Sequence, residues 1–368
     1  MRRAALAALL LAATGAPACW RRASSPTFTV GAEATRPAPA LAGPALRVLH
    51  LADFGDETPQ QAAVARSVAA AHRRAPFDLA LFPGDNLYGC GPDVEVAGAA
   101  ACRFAPDGNT VAPGFSPPAD RTFLRHERPL APLAGAGAPA VPVYLTLGNH
   151  DVGAGAACSG EGRPTEIARL RACLEVAHAS PLWTMPGRHW VLDRGPARFI
   201  GVDSNLITGD YGGFQLADEV AFVASAAEGC DRRTCFLVGH HPPATAGDHR
   251  GEADKAGYAA RMGALLDAGH GRIRAWLGGH DHDLQHLRTA AGLDVLVSGN
   301  GARGRAEERF DRASGAGTKL LFGSVRWGFG VLEVAPAGWR YRFEDVDGAP
   351  LHCCVAEGAG PCEPVACW

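Results

Sequence analysis

Five short apolar segments of this chain each end in a cluster of Gly, Asp, Asn and His residues. Where strands alternate with helices, the chain folds as a layered α/β domain, and ligand sites lie beyond the carboxyl ends of its strands. We therefore expect the five clusters to meet at one rim. Glycine precedes the polar residues in four of them, which lets the backbone turn sharply as it leaves the strand. The clusters are Asp53-Phe54-Gly55-Asp56, Gly84-Asp85-Asn86-Leu87-Tyr88, Gly148-Asn149-His150-Asp151, Gly239-His240-His241-Pro242 and Gly279-His280-Asp281-His282.

The stretches between these segments predict the order of the elements. Three of them have helical composition and spacing. Later runs at Gly330–Ala335 and Trp339–Val346, separated by Pro336-Ala337-Gly338, predict a hairpin. Gly89–Pro118 and Ala134–Pro139 are rich in Gly, Pro and Ala and are predicted to be inserted loops. The predicted strands are Leu46–Ala52, Leu79–Phe82, Val141–Leu147, Phe199–Val202, Phe236–Val238, Ile273–Leu277 and Val295–Ser298, and the predicted helices are Gln60–Arg74, Leu216–Ala227 and Ala256–Ala268.

The first residues have the features of a bacterial-type export signal. Arg2 and Arg3 precede an apolar run from Ala4 to Ala13 that is too short to span a bilayer, and small residues then lead to Cys19. The protein is therefore expected to be secreted, periplasmic or held at the cell envelope by a lipid on Cys19. The predicted organisation is a signal peptide at 1–18, a flexible tether at 19–45, a folded domain at 46–346 and a Cys-rich tail at 347–368.

Cysteine usage agrees with export. Of 11 cysteines, cleavage before Cys19 leaves that residue at the new N-terminus and an even set of ten beyond it. An even set predicts up to five disulfides formed in an oxidising compartment. Connectivity cannot be deduced from sequence, and proximity along the chain alone suggests three pairs: Cys90 with Cys102, Cys158 with Cys173, and Cys230 with Cys235.

Charge excludes one class of partner. The net charge of −3 argues against a protein that binds nucleic acid through bulk positive charge, so no nucleic acid is expected as a stable partner. A monomer is expected.

The five clusters indicate a binding site only when they are considered together. A single Asp after a strand is usually a turn or helix cap, and a single Asn-His pair is usually a loop. Together they bring carboxylate, amide and imidazole donors to one place without any Cys. Mixed oxygen and nitrogen donors suit hard or borderline cations, so the rim is predicted to bind metal.

These clusters resemble those of the calcineurin-like metallophosphoesterase superfamily, and within it the purple acid phosphatases of the small, tartrate-resistant type. The likeness covers roughly residues 46–346. Gly55 stands where most of the superfamily has a metal-binding His, and Tyr88 stands three residues after Asp85, where the purple acid branch has a ligand to ferric iron. The resemblance implies a single catalytic domain with a four-layer α-β-β-α sandwich of two mixed sheets.

Residue by residue, the resemblance implies two metal sites joined by Asp85. A ferric site would consist of Asp53, Tyr88 and His282, and a site for Fe2+, Zn2+ or Mn2+ would consist of Asn149, His240 and His280. His240 is preferred to His241 because the family ligand directly follows the glycine. The resemblance also implies that His150 and, on a weaker match, His249 face the substrate, and Asp151 is expected to support the ligands from behind.

The implied activity is that of an acid phosphatase acting on a small phosphorylated substrate. Its expected mechanism is in-line attack of a metal-bound hydroxide on a phosphomonoester, with histidine as the general acid. Two alternatives remain at this stage. One is a phosphodiesterase or nucleotide hydrolase of the same superfamily that uses Mn or Zn, and the other is a noncatalytic surface protein that binds phosphorylated ligands.

Overall fold

The computed structural model describes residues 36–39, 41, 43–135, 140–154, 158, 165–305 and 310–368. The predicted signal peptide and Cys19 lie outside these residues, as does most of the predicted tether. The strands are β1 (Leu46–His50), β2 (Leu79–Pro83), β3 (Val143–Thr146), β4 (Trp190–Arg194), β5 (Ala197–Gly201), β6 (Thr234–Val238), β7 (Ile273–Gly278), β8 (Leu284–Arg288), β9 (Asp294–Ser298), β10 (Lys319–Ser324), β11 (Gly328–Ala335), β12 (Gly338–Asp345), β13 (Pro350–Glu357) and β14 (Glu363–Pro364). The helices are α1 (Pro59–Arg74), α2 (Leu124–Leu130), α3 (Thr165–Ala177), α4 (Asn205–Thr208), α5 (Leu216–Ala227), α6 (Arg250–Ala253) and α7 (Ala256–Asp267).

The strands form two mixed sheets of seven strands each. The first has the order β14-β13-β12-β11-β1-β2-β3, and the second has the order β10-β8-β9-β7-β6-β5-β4. In the first sheet β1, β2 and β3 are parallel neighbours, and in the second β5, β6, β7 and β9 run parallel. The predicted α/β fold with two mixed sheets is confirmed.

Alternate residues of each central strand explain the layering. Leu79 and Leu81 of β2 pack between the two sheets, whereas Ala80 and Phe82 face a separate core on the other side. That outer core also contains Val64 and Val68 of α1, whose spacing places them on one helix face. Helices α5 and α7 cover the outer face of the second sheet in the same way. The result is the predicted four-layer sandwich.

Helix α1 shows how local sequence sets an element boundary. Thr58 is its N-cap, accepting a hydrogen bond from the Gln61 amide at 3.0 Å, and Pro59 occupies the first helical position, where no amide hydrogen is needed. The helix begins one residue before the prediction and ends with it at Arg74. The predicted carboxyl-terminal hairpin is also confirmed, because β11 and β12 pair antiparallel up to Ala335 opposite Gly338.

The disulfides correct two of the three suggested pairs. Cys230–Cys235 is present as expected. The segment after β2 is instead joined to later parts of the chain, because it packs beside α3 and the stretch before it. The remaining bridges are Cys90–Cys158, Cys102–Cys173, Cys353–Cys367 and Cys354–Cys362.

The cysteine-rich carboxyl-terminal segment is part of the first sheet. Strand β13 pairs with β12, and β14 pairs with β13. Cys353 and Cys354 are neighbours in β13, so their side chains point to opposite faces of the sheet and form separate bridges. Among the helices of the described residues, none is long and apolar enough to cross a bilayer.

Candidate metal centre

The five clusters meet where the carboxyl ends of the two sheets come together. Three follow β1, β2 and β3 of the first sheet, and two follow β6 and β7 of the second. Backbone bonds tie them directly: the Asp53 amide donates to the Gly84 carbonyl at 3.1 Å, and the Gly279 amide donates to the His240 carbonyl at 3.0 Å. The rim predicted from sequence is therefore a single place in the fold.

Three of the predicted ligands have a backbone conformation that side chains rarely adopt. The φ angles of Asp53, Asp85 and His280 are 55°, 51° and 73°, in the left-handed region. Within the described part of the chain, the only other residue besides glycine with positive φ is His270. Such conformations persist only where the surrounding structure holds them, and they concentrate at functional sites.

A first group of donors consists of Asp53, Tyr88 and His282. The Tyr88 hydroxyl donates to Asp53 Oδ1 at 2.8 Å and lies 3.0 Å from His282 Nε2. His282 Nε2 is 3.5 Å from Asp53 Oδ1. The three side chains that the resemblance assigns to the ferric site thus converge through their donor atoms.

A second group consists of Asn149, His240 and His280. Asn149 Oδ1 lies 2.9 Å from His240 Nε2 and 3.1 Å from His280 Nδ1, and these two ring nitrogens are 3.2 Å apart. His240 Nδ1 lies 3.0 Å from the Pro83 carbonyl oxygen, so Nε2 is the atom turned toward the other donors. His241 instead has Nδ1 3.0 Å from the Ser204 hydroxyl. His240, as expected, is the member of the pair that faces Asn149.

Asp85 lies between the two groups. Its Oδ1 is 3.4 Å from His240 Nε2 in the second group. Donor atoms of Asp85, Asp53 and His282 also lie within 4.8 Å of one another, which links Asp85 to the first group. This is the position that a bridging carboxylate requires.

The chemistry of these donors fits a pair of cations. Burial lowers the pKa of His282 to about 3 and that of His280 well below its usual value, so both rings are neutral and able to bind metal through a ring nitrogen. Burial raises the pKa of Asp53 to about 7, and the charge of Asp85 adds to the rise. Two buried carboxylates this close are stabilised by nearby positive charge, which bound cations would provide.

Gly55 explains why the first cluster has no histidine at this position. A Cβ placed on Gly55 would lie 1.6 Å from the Asn86 carbonyl oxygen, so no side chain fits without moving the second cluster. The Tyr88 amide donates to the Gly55 carbonyl at 2.9 Å. The missing side chain therefore lets the second cluster approach and place Tyr88 beside Asp53.

His150 and His249 lie on different sides of the donors. The His150 ring is 4.6 Å from the Tyr88 ring, and its Nδ1 is 3.0 Å from the Gly89 carbonyl oxygen. The His249 ring stacks on that of His280 with centroids 3.8 Å apart. Both histidines line a cavity of about 370 Å³ that opens over the donors.

Asp281 sets the protonation of His249. Its Oδ1 lies 2.9 Å from His249 Nδ1. Burial disfavours the charged imidazole, but this hydrogen bond and the Asp281 charge outweigh burial and raise the pKa of His249. His249 therefore has a stronger tendency to carry a proton than an isolated histidine.

Asp151 is buried behind the donors. It accepts hydrogen bonds from the Gly148 amide at 2.7 Å and the Leu87 amide at 2.9 Å, which connects the third cluster to the second. Burial raises the pKa of Asp151 to about 7, and the neighbouring Asp85 contributes. It also accepts a hydrogen bond from the Asn86 side chain at 3.1 Å, so its contacts hold the segments that carry Asp85, Tyr88 and Asn149.

Four further residues belong to this site and were not predicted from the sequence. Glu252 of α6 lies 3.2 Å from His280 Nε2, and Asp281 orients His249. Arg303 and Arg305, which follow β9, line the cavity. The sequence could have indicated the two arginines, because they follow the predicted strand β9. This strand is parallel to β7 and so ends at the same rim.

Comparisons with known proteins agree with this architecture. The calcineurin-like phosphoesterase family model matches residues 46–284. No curated protein sequence matches the chain. Similar solved structures include GAP50, the anchor in the inner membrane complex of Plasmodium, with a TM-score of 0.61 and 16% identity over 85% of this chain and 89% of that one.

A second similar structure is purple acid phosphatase PPD1 from yellow lupin (Lupinus luteus) seeds, with a TM-score of 0.58 and 13% identity over 86% of this chain and 54% of that one. PhoD is similar with a TM-score of 0.51 and 13% identity over 90% of this chain and 73% of that one. At these identities the structural likeness shows the fold alone. Since the family model covers most of the chain and the two-sheet fold agrees with it, the protein belongs to the calcineurin-like phosphoesterase family.

Proposed function

We propose that this protein is a dinuclear-metal acid phosphatase that hydrolyses phosphomonoesters. The observation that carries the proposal is the position of the Tyr88 hydroxyl, 2.8 Å from Asp53 and 3.0 Å from His282. A phenol in this place adds an anionic oxygen donor to a carboxylate and an imidazole. Such a donor set favours a highly charged, hard cation such as Fe3+.

In this proposal Asp53, Tyr88 and His282 would hold Fe3+, and Asn149, His240 and His280 would hold Fe2+, Zn2+ or Mn2+, with Asp85 shared. A cation pair of this kind neutralises phosphoryl oxygens and lowers the pKa of bound water, which supplies a nucleophile in acid. The family membership supports a metal-dependent phosphoesterase.

The chain's own residues bind and protonate the substrate. His249 is fixed through Nδ1 by Asp281, so its Nε2 is the atom that can carry a proton to the leaving alkoxide. His150 is fixed in the same way through Nδ1 by the Gly89 carbonyl, which leaves Nε2 for the substrate. Because the two imidazoles lie on different sides of the cavity, one of them can protonate the departing oxygen whichever side the leaving group occupies.

The cavity supports a small phosphorylated substrate. Its volume is about 370 Å³, and polar or titratable side chains form most of its wall. A phosphate group with a compact alcohol fits such a space, and a stable nucleic-acid partner is not part of this proposal.

The proposal includes export. Five disulfides are typical of proteins that mature outside the cytoplasm. We propose cleavage before Cys19 and a lipid on that residue, so that the monomeric enzyme is tethered to the cell envelope. Cell fractionation and mass spectrometry of the mature N-terminus test this part independently of activity.

The central test is iron loading of the purified protein and of a Tyr88→Phe variant. Wild-type protein is expected to show a visible phenolate-to-iron absorption band and to hydrolyse a chromogenic phosphomonoester in acid. Tyr88→Phe is expected to lose the band, and Tyr144→Phe, which alters a half-buried tyrosine within β3, serves as the matched control.

Each other outcome selects an alternative. Hydrolysis of diesters with Mn or Zn and no visible band would support the phosphodiesterase or nucleotide hydrolase. Tight binding of phosphate esters with no hydrolysis under any metal condition would support the noncatalytic protein.

A further inference from the structure

Two arginines line the cavity but are neither proposed metal ligands nor proposed proton donors. Arg303 and Arg305 lie in the loop after β9, on either side of Gly304. The Arg303 guanidinium carbon lies 4.0 Å from the centroid of the Tyr88 ring, at the side of the first group of donors. Both arginines therefore line the cavity over the donors, and Arg303 lies beside the first group.

Each arginine forms an ion pair with one aspartate. Arg303 Nε donates to Asp56 Oδ2 at 2.8 Å, and Arg305 Nε lies 2.9 Å from Asp248 Oδ2. Among the described residues, no second acidic side chain pairs with either arginine. A guanidinium has five N–H donors, and an ion pair through Nε leaves the terminal amino groups for another acceptor.

These ion pairs neutralise the arginines only in part. The Asp56 and Asp248 side chains are 31% and 53% exposed, so water screens both pairs. The hydrogen bond from Arg303 to Asp56 also holds Arg303 in position, and an arginine already held loses less side-chain freedom when it binds a ligand. Stacking on Tyr88 restricts Arg303 further.

A guanidinium with free terminal amino groups suits phosphate and carboxylate, which it can bind through two parallel hydrogen bonds. The scissile phosphate belongs on the cations, between the two groups of donors. An anion on the arginines is therefore a second group of the same substrate, at the rim of the cavity.

We propose that Arg303 and Arg305 form a subsite for a second anionic group, so that the preferred substrates are phosphate esters that also carry a phosphate or a carboxylate. This inference rests on the proposed phosphomonoesterase function. It specifies the substrate class, which the metal donors alone do not.

The test compares three aryl phosphate monoesters: phenyl phosphate, 4-carboxyphenyl phosphate and 1,4-phenylene bisphosphate. For iron-loaded wild-type protein, kcat/KM is measured for each, and the bisphosphate and carboxylate arms separate the two sources of the second anion. Each kcat/KM is divided by that for phenyl phosphate in the same variant. Differences in reactivity between the leaving groups then cancel when the variants are compared.

In an Arg303→Gln/Arg305→Gln variant, kcat/KM for at least one of the two substrates with a second anionic group is expected to fall about tenfold more than for phenyl phosphate, mainly through KM. Arg305→Gln alone is included because Arg303 also contacts Tyr88. Arg272→Gln, which removes the same charge where Arg272 pairs with Asp231 outside the cavity, is expected to leave the ratio unchanged. Competitive inhibition by methylenediphosphonate, compared with methylphosphonate, is expected to weaken in parallel.

Two results would overturn the subsite: no loss of kcat/KM on any of the three substrates in the double variant, or equal losses on all three, which would assign the arginines to the scissile phosphate. Failure of wild-type protein to hydrolyse phenyl phosphate would instead contradict the proposed function. The two failures are therefore distinguishable.

Discussion

The two groups of donors in this rim differ in charge although they are joined by one carboxylate. The first group, Asp53, Tyr88 and His282, offers two oxygens that can be anionic. The second group, Asn149, His240 and His280, offers an amide oxygen and two imidazole nitrogens, none of which is an anionic donor. A more highly charged cation is stabilised more by the first group, and a divalent cation is sufficient for the second. The same fold thus presents two unequal sites about one shared carboxylate.

The largest effect is expected from removing the shared carboxylate. Asp85→Ala would remove the donor common to both groups, and activity is expected to fall by about three orders of magnitude. Metal analysis of the purified variant should show loss of both cations. Full retention of one cation would mean that the two groups are independent sites.

A smaller effect is expected when only the second group of donors is altered. His240→Ala is expected to lower activity by roughly 100-fold and to reduce the divalent metal while the iron and its visible band remain. His241→Ala is the matched control from the adjacent position, and we expect it to retain the divalent metal. Equal metal loss in both variants would contradict the assignment of His240.

Asp151 tests whether the two groups share a support. Asp151→Asn keeps the size of the side chain but replaces one oxygen that accepts from backbone with an amide group. Since Asp151 contacts Leu87, beside Tyr88, and Gly148, beside Asn149, affinity for both metals is expected to fall by about 10-fold to 100-fold. Titration of each metal into the apoprotein measures this, and loss confined to one metal would show separate supports.

The smallest effect is expected from the partner of His249. Asp281 raises the pKa of His249, so the ring keeps its proton to higher pH than it would alone. Asp281→Asn would lower that pKa, and the protonated fraction at a given pH would decrease. The alkaline limb of the pH–rate profile is therefore expected to move to lower pH, with little change at the acid end. Asp254→Asn, which alters an exposed aspartate of an ion pair, is the control.

Sequence was sufficient to predict where the donors lie, because each cluster follows a strand and its glycine marks the turn. Gly239 before His240 is an example, because the resemblance implies that the ligand directly follows the glycine, and this distinguished His240 from His241. The alternation of strands and helices likewise predicted a layered α/β domain, and the resemblance implied the two mixed sheets. These features are encoded within a few residues of one another.

Features that depend on distant parts of the chain could not be predicted in this way. Glu252 reaches His280 from a four-residue helix with no distinctive pattern. Strand β8 was missed because it contains buried polar residues. Gln285 accepts from the Ala246 amide at 2.7 Å, and His286 Nε2 lies 3.1 Å from Asp294, so tertiary partners satisfy them and hide the apolar pattern of the strand. Cys90 and Cys102 pair with residues 68 and 71 positions further along the chain, so proximity in sequence could not predict their partners.

The unusual backbone of Asp53, Asp85 and His280 has a consequence for assembly of the centre. The side chains of these three residues are buried at the rim where the strands end. We therefore expect the donors to hold their positions before any ion arrives, in contrast to small zinc modules that gain their shape from the metal. Chelation should accordingly empty the protein without melting it, and returning the ions should restore turnover without a refolding step.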